Sequence, residues 1–235
     1  MVVRSPGKGR EGSMARVVWV TGCDTGVGKT VVAAALVRSL SRGGRRVLGV
    51  KPFCSGGRED VTALATAQGL GEDACARLNP WFFPEPLTPL LAARRAGRRV
   101  ARAEVLRFLR QSREGQDDLV VEGAGGLLSP LGEDYDARDL IRRTPGLWRV
   151  VVVVPNRLGA INQALLVMDA LGAAARQARV ALVSPPRPTP VARTNLALLR
   201  ERVGASSVVA FPWLPRPESP SGGRRVQRAV AALLA

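Results

Sequence analysis

The stretch VTGCDTGVGKTVVAAALV, residues 20–37, passes from an apolar run through a glycine-rich patch into an alanine-rich segment. The run ARVVWV, residues 15–20, predicts a buried strand of a parallel sheet, and residues 31–42 predict a helix. A glycine-rich turn between a strand and a helix is typical of a phosphate-binding loop, because backbone amides and the helix dipole both favour an anion there. This stretch therefore predicts a nucleotide-binding α/β fold.

The glycine-rich patch is one residue longer than the common P-loop. The pattern G-x-x-x-x-G-K-[ST] has four residues between its glycines, whereas five separate Gly22 from Gly28. The loop still has glycines that let amides approach phosphate oxygens, a lysine for the β- and γ-phosphates and a hydroxyl for Mg²⁺. We predict that a nucleoside triphosphate and Mg²⁺ bind at Gly26, Val27, Gly28, Lys29, Thr30 and Val31.

Strand and helix patterns alternate along the rest of the chain. Strand patterns lie at 45–50, 118–122, 148–156, 179–184 and 206–211, and helical patterns at 60–68, 100–113, 160–175, 191–203 and 224–234. The proline-studded segment NPWFFPEPLTP, residues 79–89, is predicted to hold no regular element. This order predicts a single-domain, P-loop NTPase-like α/β fold over residues 14–235, with a parallel sheet, helices on both faces and ligands at the carboxyl ends of the strands.

Composition limits the classes of protein. The 235 residues are 46% hydrophobic, enough for a core, and no apolar run approaches the roughly 20 residues that span a bilayer. Residues 1–13 are polar, basic and glycine-containing, which predicts a disordered tail rather than an export signal. Three cysteines without CxxC spacing, and no histidine, argue against disulfides and zinc. We expect a cytoplasmic protein with no membrane partner.

The net charge of +16 would attract phosphate-rich partners, including nucleic acid. The arginines, however, are scattered along the chain in small groups, and only five Phe, four Trp and one Tyr could stack on bases. We therefore favour a solvated basic surface over a nucleic-acid face.

The segment VKPFCSGG, residues 50–57, places Lys51 at the end of the second predicted strand, with Ser55 four residues later. Two lysines that converge on one pocket, here Lys29 and Lys51, need a polyanion or a developing anion between them. If this segment stood alone, a surface lysine before a proline turn would be the preferred interpretation.

The segment VVEGAGGLLSPL, residues 120–131, ends a predicted strand in Glu122, the position of a Walker B acid. Backbone that can pack closely against phosphate or substrate follows in Gly123, Ala124 and Gly125. The alternative is that Glu122 caps a helix or is exposed to solvent. Its position at the end of an apolar run argues against this alternative.

A magnesium site is predicted from oxygen ligands at this edge of the sheet. Mg²⁺ keeps several waters and needs few protein ligands. Thr30, Glu122 and an acid of the Glu59 and Asp60 pair would complete its coordination.

Five segments taken together resemble dethiobiotin synthetase, the ATP-dependent carboxylase of the penultimate step of biotin synthesis. They are TGCDTGVGKT, VKPFCSG, LVVEGAGGLLSPL, LGAINQALL and FPWLP, in this order and at these intervals, over roughly Ala15 to Leu214. The resemblance implies a cyclic urea closed on 7,8-diaminononanoate. CO₂ adds to one amine as a carbamate, ATP phosphorylates the carbamate, and the neighbouring amine displaces phosphate.

The resemblance also implies roles for individual residues. Lys51 matches the active-site lysine that stabilises the carbamate, and Lys29 acts on the transferred phosphoryl group. Ser55 matches a substrate-contacting serine. The metal and phosphate ligands are matched by Thr30, Asp60 and Glu122. A homodimer is implied, with the substrate carboxylate received across its interface by the start of a helix at Gly159, Ala160, Ile161 and Asn162.

Base recognition departs from the family pattern. An asparagine followed by an aspartate commonly ends the strand that reads the adenine edge, but Ser184 and Pro185 stand here. Proline offers neither a side-chain acceptor nor a backbone N–H, so nucleotide discrimination could be looser, or could rest on Pro212, Trp213 and Leu214.

Three other interpretations are left open. A ParA/MinD-like ATPase switch shares the phosphate loop but typically resembles KGGxGKT, whereas Cys23, Asp24 and Thr25 stand here. A cobyrinate-type amidotransferase synthetase shares the loop but ordinarily continues into a glutaminase domain. A relative with the scaffold but without activity is permitted by the altered base pocket.

Overall fold

Strands and helices alternate along the chain in the computed structural model, which describes residues 14–187, 189–217 and 223–235. The first half contains β1 (Arg16–Gly22), α1 (Lys29–Arg42), β2 (Val47–Val50), β3 (Phe53–Ser55), α2 (Glu59–Ala67), α3 (Cys75–Leu78), β4 (Trp81–Phe83), α4 (Pro89–Arg95), α5 (Arg102–Ser112) and β5 (Asp118–Glu122). The second half contains β6 (Pro130–Gly132), β7 (Tyr135–Asp136), α6 (Ala137–Arg143), β8 (Leu147–Pro155), α7 (Ala160–Leu171), β9 (Ala178–Val183), α8 (Pro190–Val203), β10 (Val208–Phe211) and α9 (Arg224–Leu234). The tail predicted at residues 1–13 lies outside the described residues.

Six strands form the central sheet in the order β10-β9-β8-β1-β5-β2, and every neighbouring pair is parallel. At its centre, Val20 of β1 pairs with Glu122 on one side and Val151 on the other. The chain first builds the sheet toward β2 and later turns back past β1 toward β10. Such a reversal opens a crevice at the carboxyl ends of the strands, where ligands bind in open α/β sheets.

Each face of the sheet is covered by its own hydrophobic core. Val18 and Val20 of β1 pack on the face that carries α1 and α9, whereas Val17 and Trp19 pack on the face that carries α5, α6, α7 and α8. Because both faces are buried, the strands are nearly continuous apolar runs. The predicted parallel sheet with helices on both faces is confirmed.

The prediction of no regular element at residues 79–89 is wrong. Trp81–Phe83 forms β4 and pairs in parallel with β3, and α4 begins at Pro89. The prolines restrict their own positions and leave three residues between Pro80 and Pro84 free to pair. Trp81 also stacks on Phe53, with 5.2 Å between ring centroids.

The helix predicted at residues 160–175 ends earlier than expected. α7 stops at Leu171 because Gly172 adopts a φ of 58°, and a 3₁₀ segment follows over Gly172–Gln177. Within the described part of the chain, none of the helices combines the length and the apolar character that crossing a bilayer requires.

Candidate functional site

The phosphate loop joins β1 to α1 through two glycines with left-handed backbone. Gly26 has a φ of 70° and Gly28 a φ of 96°, a region that favours glycine. α1 begins at Lys29, directly after Gly28. The amide groups of the first helical turn therefore point toward the carboxyl edge of the sheet, as an anion site requires.

Lys29 is held by the loop itself. Its side chain is buried, and Nζ donates to the backbone oxygen of Asp24 at 2.7 Å. Burial lowers the pKa of Lys29, and the positive charge of Lys51 lowers that pKa further. An anion placed between the two lysines would relieve both effects.

Lys51 lies one residue beyond β2 and is held between two acids. Its side chain is only 6% exposed, and Nζ donates to Asp60 Oδ2 at 2.5 Å and to Glu122 Oε1 at 2.6 Å. Burial alone would lower the pKa of Lys51, but the two carboxylates outweigh burial and raise that pKa above its usual value. Lys51 is therefore a charged ammonium.

The two acids reach Lys51 from different elements. Asp60 lies in the first turn of α2, and the nearby Lys51 lowers the pKa of Asp60 although partial burial opposes this. Glu122 is the last residue of β5 and is fully buried, which raises its pKa against the opposing charge of Lys51. Of the acidic pair predicted from the sequence, Asp60 makes the contact, because Glu59 is exposed.

The backbone of Lys51 is fixed by Asn79, which the sequence analysis did not identify. The buried Asn79 donates from Nδ2 to the backbone oxygens of Lys51 at 2.7 Å and Pro52 at 3.1 Å. The amide of Lys51 donates to the oxygen of Leu78 at 3.1 Å. No local signal marks Asn79 in the sequence, since the contact joins segments that only the fold brings together.

A cavity of about 510 Å³ connects the phosphate loop with Lys51 and the acids. This volume lies in the usual range for a small-molecule site. Predicted residues that line the cavity are Gly26, Gly28, Lys29, Thr30, Val31, Lys51, Ser55, Asp60, Glu122, Ala124 and Gly125. Lining residues that were not predicted include Thr25, Phe53, Cys54, Leu87, Thr88 and Ser129.

Some predicted residues lie near the cavity without lining it. Val27 packs its side chain into the core beside Gly22, and the amide of Gly123 donates to Val20 at 2.9 Å. Ser55, by contrast, does line the cavity. Its hydroxyl donates to the backbone oxygen of Leu87 at 2.6 Å.

The acidic side of the cavity fits a magnesium ion. Oε2 of Glu122 is buried and has no hydrogen-bond partner in the part of the chain that is described. Thr30 Oγ1, which donates to Glu122 Oε1 at 2.7 Å, and the Asp60 carboxylate add further oxygens. The described residues hold no cluster of three or more His, Cys, Asp or Glu that could cage a metal. This donor set suits a cation that keeps several waters, as Mg²⁺ does.

A second cavity of about 590 Å³ lies at the ends of β9 and β10 and is lined by residues that we expected to recognise the base. Ser184, Pro185, Pro212 and Trp213 line it, whereas Leu214 packs against the core on the α1 face. A Cβ placed on Gly28 would lie 4.0 Å from Val183, so the end of β9 adjoins the phosphate loop.

The predicted carboxylate-binding residues begin α7, on the other side of the phosphate loop. Gly159 precedes the helix with a φ of 89°, and residues 159–162 line neither of these cavities as the described residues outline them. The contact between Cys23 and Gln163, with 3.6 Å from Sγ to Oε1, links the first turn of α7 to the phosphate loop.

Comparison with known proteins gives a consistent result. A family model described as an AAA domain matches residues 16–221. The chain is 37% identical over 228 residues to the ATP-dependent dethiobiotin synthetase BioD of Ralstonia nicotianae, covering 92% of this chain and 96% of that protein. It is 35% identical over 219 residues to the protein of the same name from Xanthomonas oryzae pv. oryzae strain PXO99A, covering 89% of this chain and 96% of that protein.

Solved structures with the same fold are more distant in sequence. A ParA family ATPase from Chlorobium tepidum superposes with a TM-score of 0.53 at 12% identity, over 94% of this chain and 91% of that one. Chloroplast FtsY from Physcomitrella patens superposes with a TM-score of 0.51 at 17% identity, over 95% of this chain and 66% of that one. These likenesses concern the fold.

The sheet order, the phosphate loop and the strand-end acid define a P-loop nucleotide-binding protein. With relatives at this identity over nine-tenths of its length, the chain belongs to the dethiobiotin synthetase family, ATP-dependent cyclo-ligases of biotin synthesis. The family resemblance seen in the sequence is confirmed.

Proposed function

We propose that the chain carboxylates 7,8-diaminononanoate and closes its cyclic urea, using ATP, CO₂ and Mg²⁺ to form dethiobiotin. The observation that supports this most is the presence of Lys29 and Lys51, from separate elements, in one cavity with Glu122. A phosphate loop alone would serve a switch, a motor or a kinase equally well. Lys51 adds a second cation where a carboxylated amine would meet the γ-phosphate.

The reaction has three steps. One amine attacks CO₂ and loses a proton, which gives a carbamate. A carbamate oxygen takes the γ-phosphoryl group of ATP, and ADP leaves. The second amine attacks the carbonyl carbon of the mixed anhydride, the bond from that carbon to the phosphate oxygen breaks, and phosphate leaves as the ring closes.

Each lysine acts on a different anion in this scheme. Lys29 is the first residue of α1 and lies beside the amides of the phosphate loop. The ammonium and the amides form one phosphate-binding surface, so Lys29 contacts the transferred phosphoryl group. Lys51 lines the cavity together with Phe53 and Ser55, and it stabilises the carbamate and the negative charge that develops on it. Thr30, Asp60 and Glu122 would hold Mg²⁺, which when bound neutralises phosphate charge.

A homodimer would complete the substrate site. Apolar side chains next to the phosphate loop are exposed in one chain: Leu128 is 51% exposed, Leu158 86% and Leu166 61%. Leu128 and Leu166 line a cavity of about 340 Å³ with Cys23 and Asp24 of the loop. A second copy covering this surface would bury the leucines and bring the amides at residues 159–162 to the substrate carboxylate.

Purified protein with labelled bicarbonate and ATP tests the proposal. Acid-stable label and phosphate release should both require the diamine. Lys51→Ala should lower turnover by orders of magnitude while leaving ATP affinity largely intact, because Lys51 acts on the transition state. Lys29→Ala is the matched control, and it should weaken ATP binding.

Two results would contradict the proposal. ATP turnover that DNA stimulates and that ignores the diamine would support a ParA-like switch. A fully active Lys51→Ala variant would remove Lys51 from the mechanism.

A further inference from the structure

We infer that Lys51 is a built-in counter-ion which a divalent cation displaces from Asp60 and Glu122, so that loading the metal frees Lys51 for the substrate. The inference rests on the metal site proposed above. It adds an order of events, in which metal binding precedes the positioning of Lys51.

The ammonium of Lys51 contacts the same groups that fit a metal. It lies 2.5 Å from Asp60 Oδ2 and 2.6 Å from Glu122 Oε1, and Thr30 donates to that same Glu122 oxygen at 2.7 Å. All three proposed metal ligands therefore lie within one hydrogen-bonded group around a protein cation. Lys51 neutralises acids that would otherwise repel each other across a mostly buried space.

A dication on Glu122 Oε2, which has no hydrogen-bond partner among the described residues, would lie beside the ammonium that holds Glu122 Oε1 and Asp60 Oδ2. Mg²⁺ binds oxygen at about 2.0–2.1 Å, so an ammonium on the same carboxylates would lie a few ångströms from it. Repulsion between them would be strong because Glu122 and Lys51 are buried, where solvent and salt screen little. Repulsion from the bound metal therefore favours the departure of Lys51 from the two carboxylates.

Only the side chain of Lys51 has to move. Its backbone is fixed on both sides, because its N–H donates to the carbonyl oxygen of Leu78 and its own carbonyl oxygen accepts from Asn79 Nδ2. The four-carbon stem can turn within the cavity, which Phe53, Ser55 and Leu87 also line. The ammonium that leaves the acids thus stays inside the site, on the side proposed for the diamine.

Lys29 provides a matched control, because it has the same charge at the same cavity but a different partner. Its Nζ donates to the backbone oxygen of Asp24 rather than to a carboxylate. Removing Lys29 changes the net charge by the same amount as removing Lys51, and leaves both acids paired.

Mn²⁺ binding to the nucleotide-free protein, followed by electron paramagnetic resonance, tests the exchange. Lys51→Met should bind Mn²⁺ at least about tenfold more tightly than the wild type, since no ion pair has to be broken. Lys29→Met should raise the affinity clearly less than Lys51→Met does, because the Lys29 charge acts on the acids only through space and makes no hydrogen bond to them. Circular dichroism establishes that each variant is folded, and Lys51→Gln replaces Lys51→Met if the apolar side chain prevents folding.

A second readout follows Lys51 in the wild type. Its amine should resist reductive methylation without a divalent cation and react at least about tenfold faster once Mg²⁺ is added, because it leaves the two carboxylates. Mass spectrometry of the labelled peptide measures this rate.

The outcomes separate this inference from the proposed function. Equal Mn²⁺ affinities in wild type and Lys51→Met, or equal gains in both lysine variants, would overturn the exchange and leave the synthetase activity standing. Absence of Mn²⁺ binding in every variant, even with nucleotide added, would overturn the metal site and the exchange together. Absence of synthetase activity in the wild type, with the exchange still observed, would overturn only the proposed substrate.

Discussion

Replacing Asp118 with Asn tests how the amino ends of three neighbouring strands are held together. The Asp118 side chain is completely buried at the start of β5. It accepts a hydrogen bond from Arg16 Nε of β1 at 2.9 Å and another from Nε of Arg45, which precedes β2. The charges therefore connect β1, β5 and β2 at the edge of the sheet opposite to the active site.

The expected loss follows from these contacts. A hydrogen bond to a charged group contributes about 1.5–3 kcal/mol and a neutral one about 1. Asparagine keeps only one acceptor oxygen, so one of the two bonds is weakened and the other is lost where the amide nitrogen faces an arginine N–H, at a total cost of about 2–5 kcal/mol. The arginine side chains are 39% and 36% exposed, and water compensates part of the loss. We expect about 2 kcal/mol, which for a chain of this size corresponds to roughly 4–8 °C in Tm.

Thermal and urea unfolding followed by circular dichroism measure this change. Asp117→Asn is the control, because Asp117 is the preceding residue and pairs with Arg46 at 3.1 Å where both side chains are at least 36% exposed. The oxygen that asparagine keeps can still accept from the Arg46 backbone amide, which in the wild type donates to Asp117 Oδ2 at 2.9 Å. The free energy of unfolding of Asp117→Asn should fall by no more than about 0.5 kcal/mol. Equal losses in the two variants, or an unchanged Tm for Asp118→Asn, would refute the reasoning. ATP affinity should be kept, since Glu122 lies at the other end of β5.

Two further variants test the site. Gly28→Ala should weaken ATP binding at least about tenfold in calorimetry without unfolding the protein, because alanine strains a backbone with a φ of 96°; unchanged affinity would contradict this. Asn79→Leu should lower stability by about 2 kcal/mol, since the backbone oxygens of Lys51 and Pro52 lose their donor. It should also lower kcat more than it raises KM for ATP, and an effect on stability alone would leave Asn79 without a role in positioning Lys51.

The central sheet was predictable because its strands are buried on both faces. The apolar runs at 118–122 and 148–156 allow hardly any other interpretation, and β5 and α9 have the predicted bounds. α6 was missed although the sequence has a signal for it. Asp136 and Asp139 form a reciprocal capping pair at its start, in which the Asp139 amide donates to Asp136 Oδ1 at 3.1 Å.

The phosphate loop and the strand-end acid could be read from local patterns, but the contacts among them could not. The sequence places Lys51 and Glu122 at strand ends 71 positions apart, and only the parallel pairing of β2 with β5 brings their side chains within 2.6 Å. The same holds for Asn79, whose partners Lys51 and Pro52 lie 28 and 27 positions earlier in the chain. Short-range patterns carry no information on such distances.

The strand order explains why an acid lies between the two lysines. β5 lies between β1 and β2, so the carboxylate at its end stands between the helix that begins with Lys29 and the strand that delivers Lys51. Neighbouring strands are about 4.8 Å apart, and the ends of β1 and β2 are therefore about 10 Å apart, which is room for a phosphoryl group and its acceptor. If β2 were next to β1, the two ammonium groups would lie closer together with no acid between them, and repulsion would push one into solvent. The position of β5 between β1 and β2 thus allows a second cationic site, for the phosphoryl acceptor, to lie next to the phosphate loop.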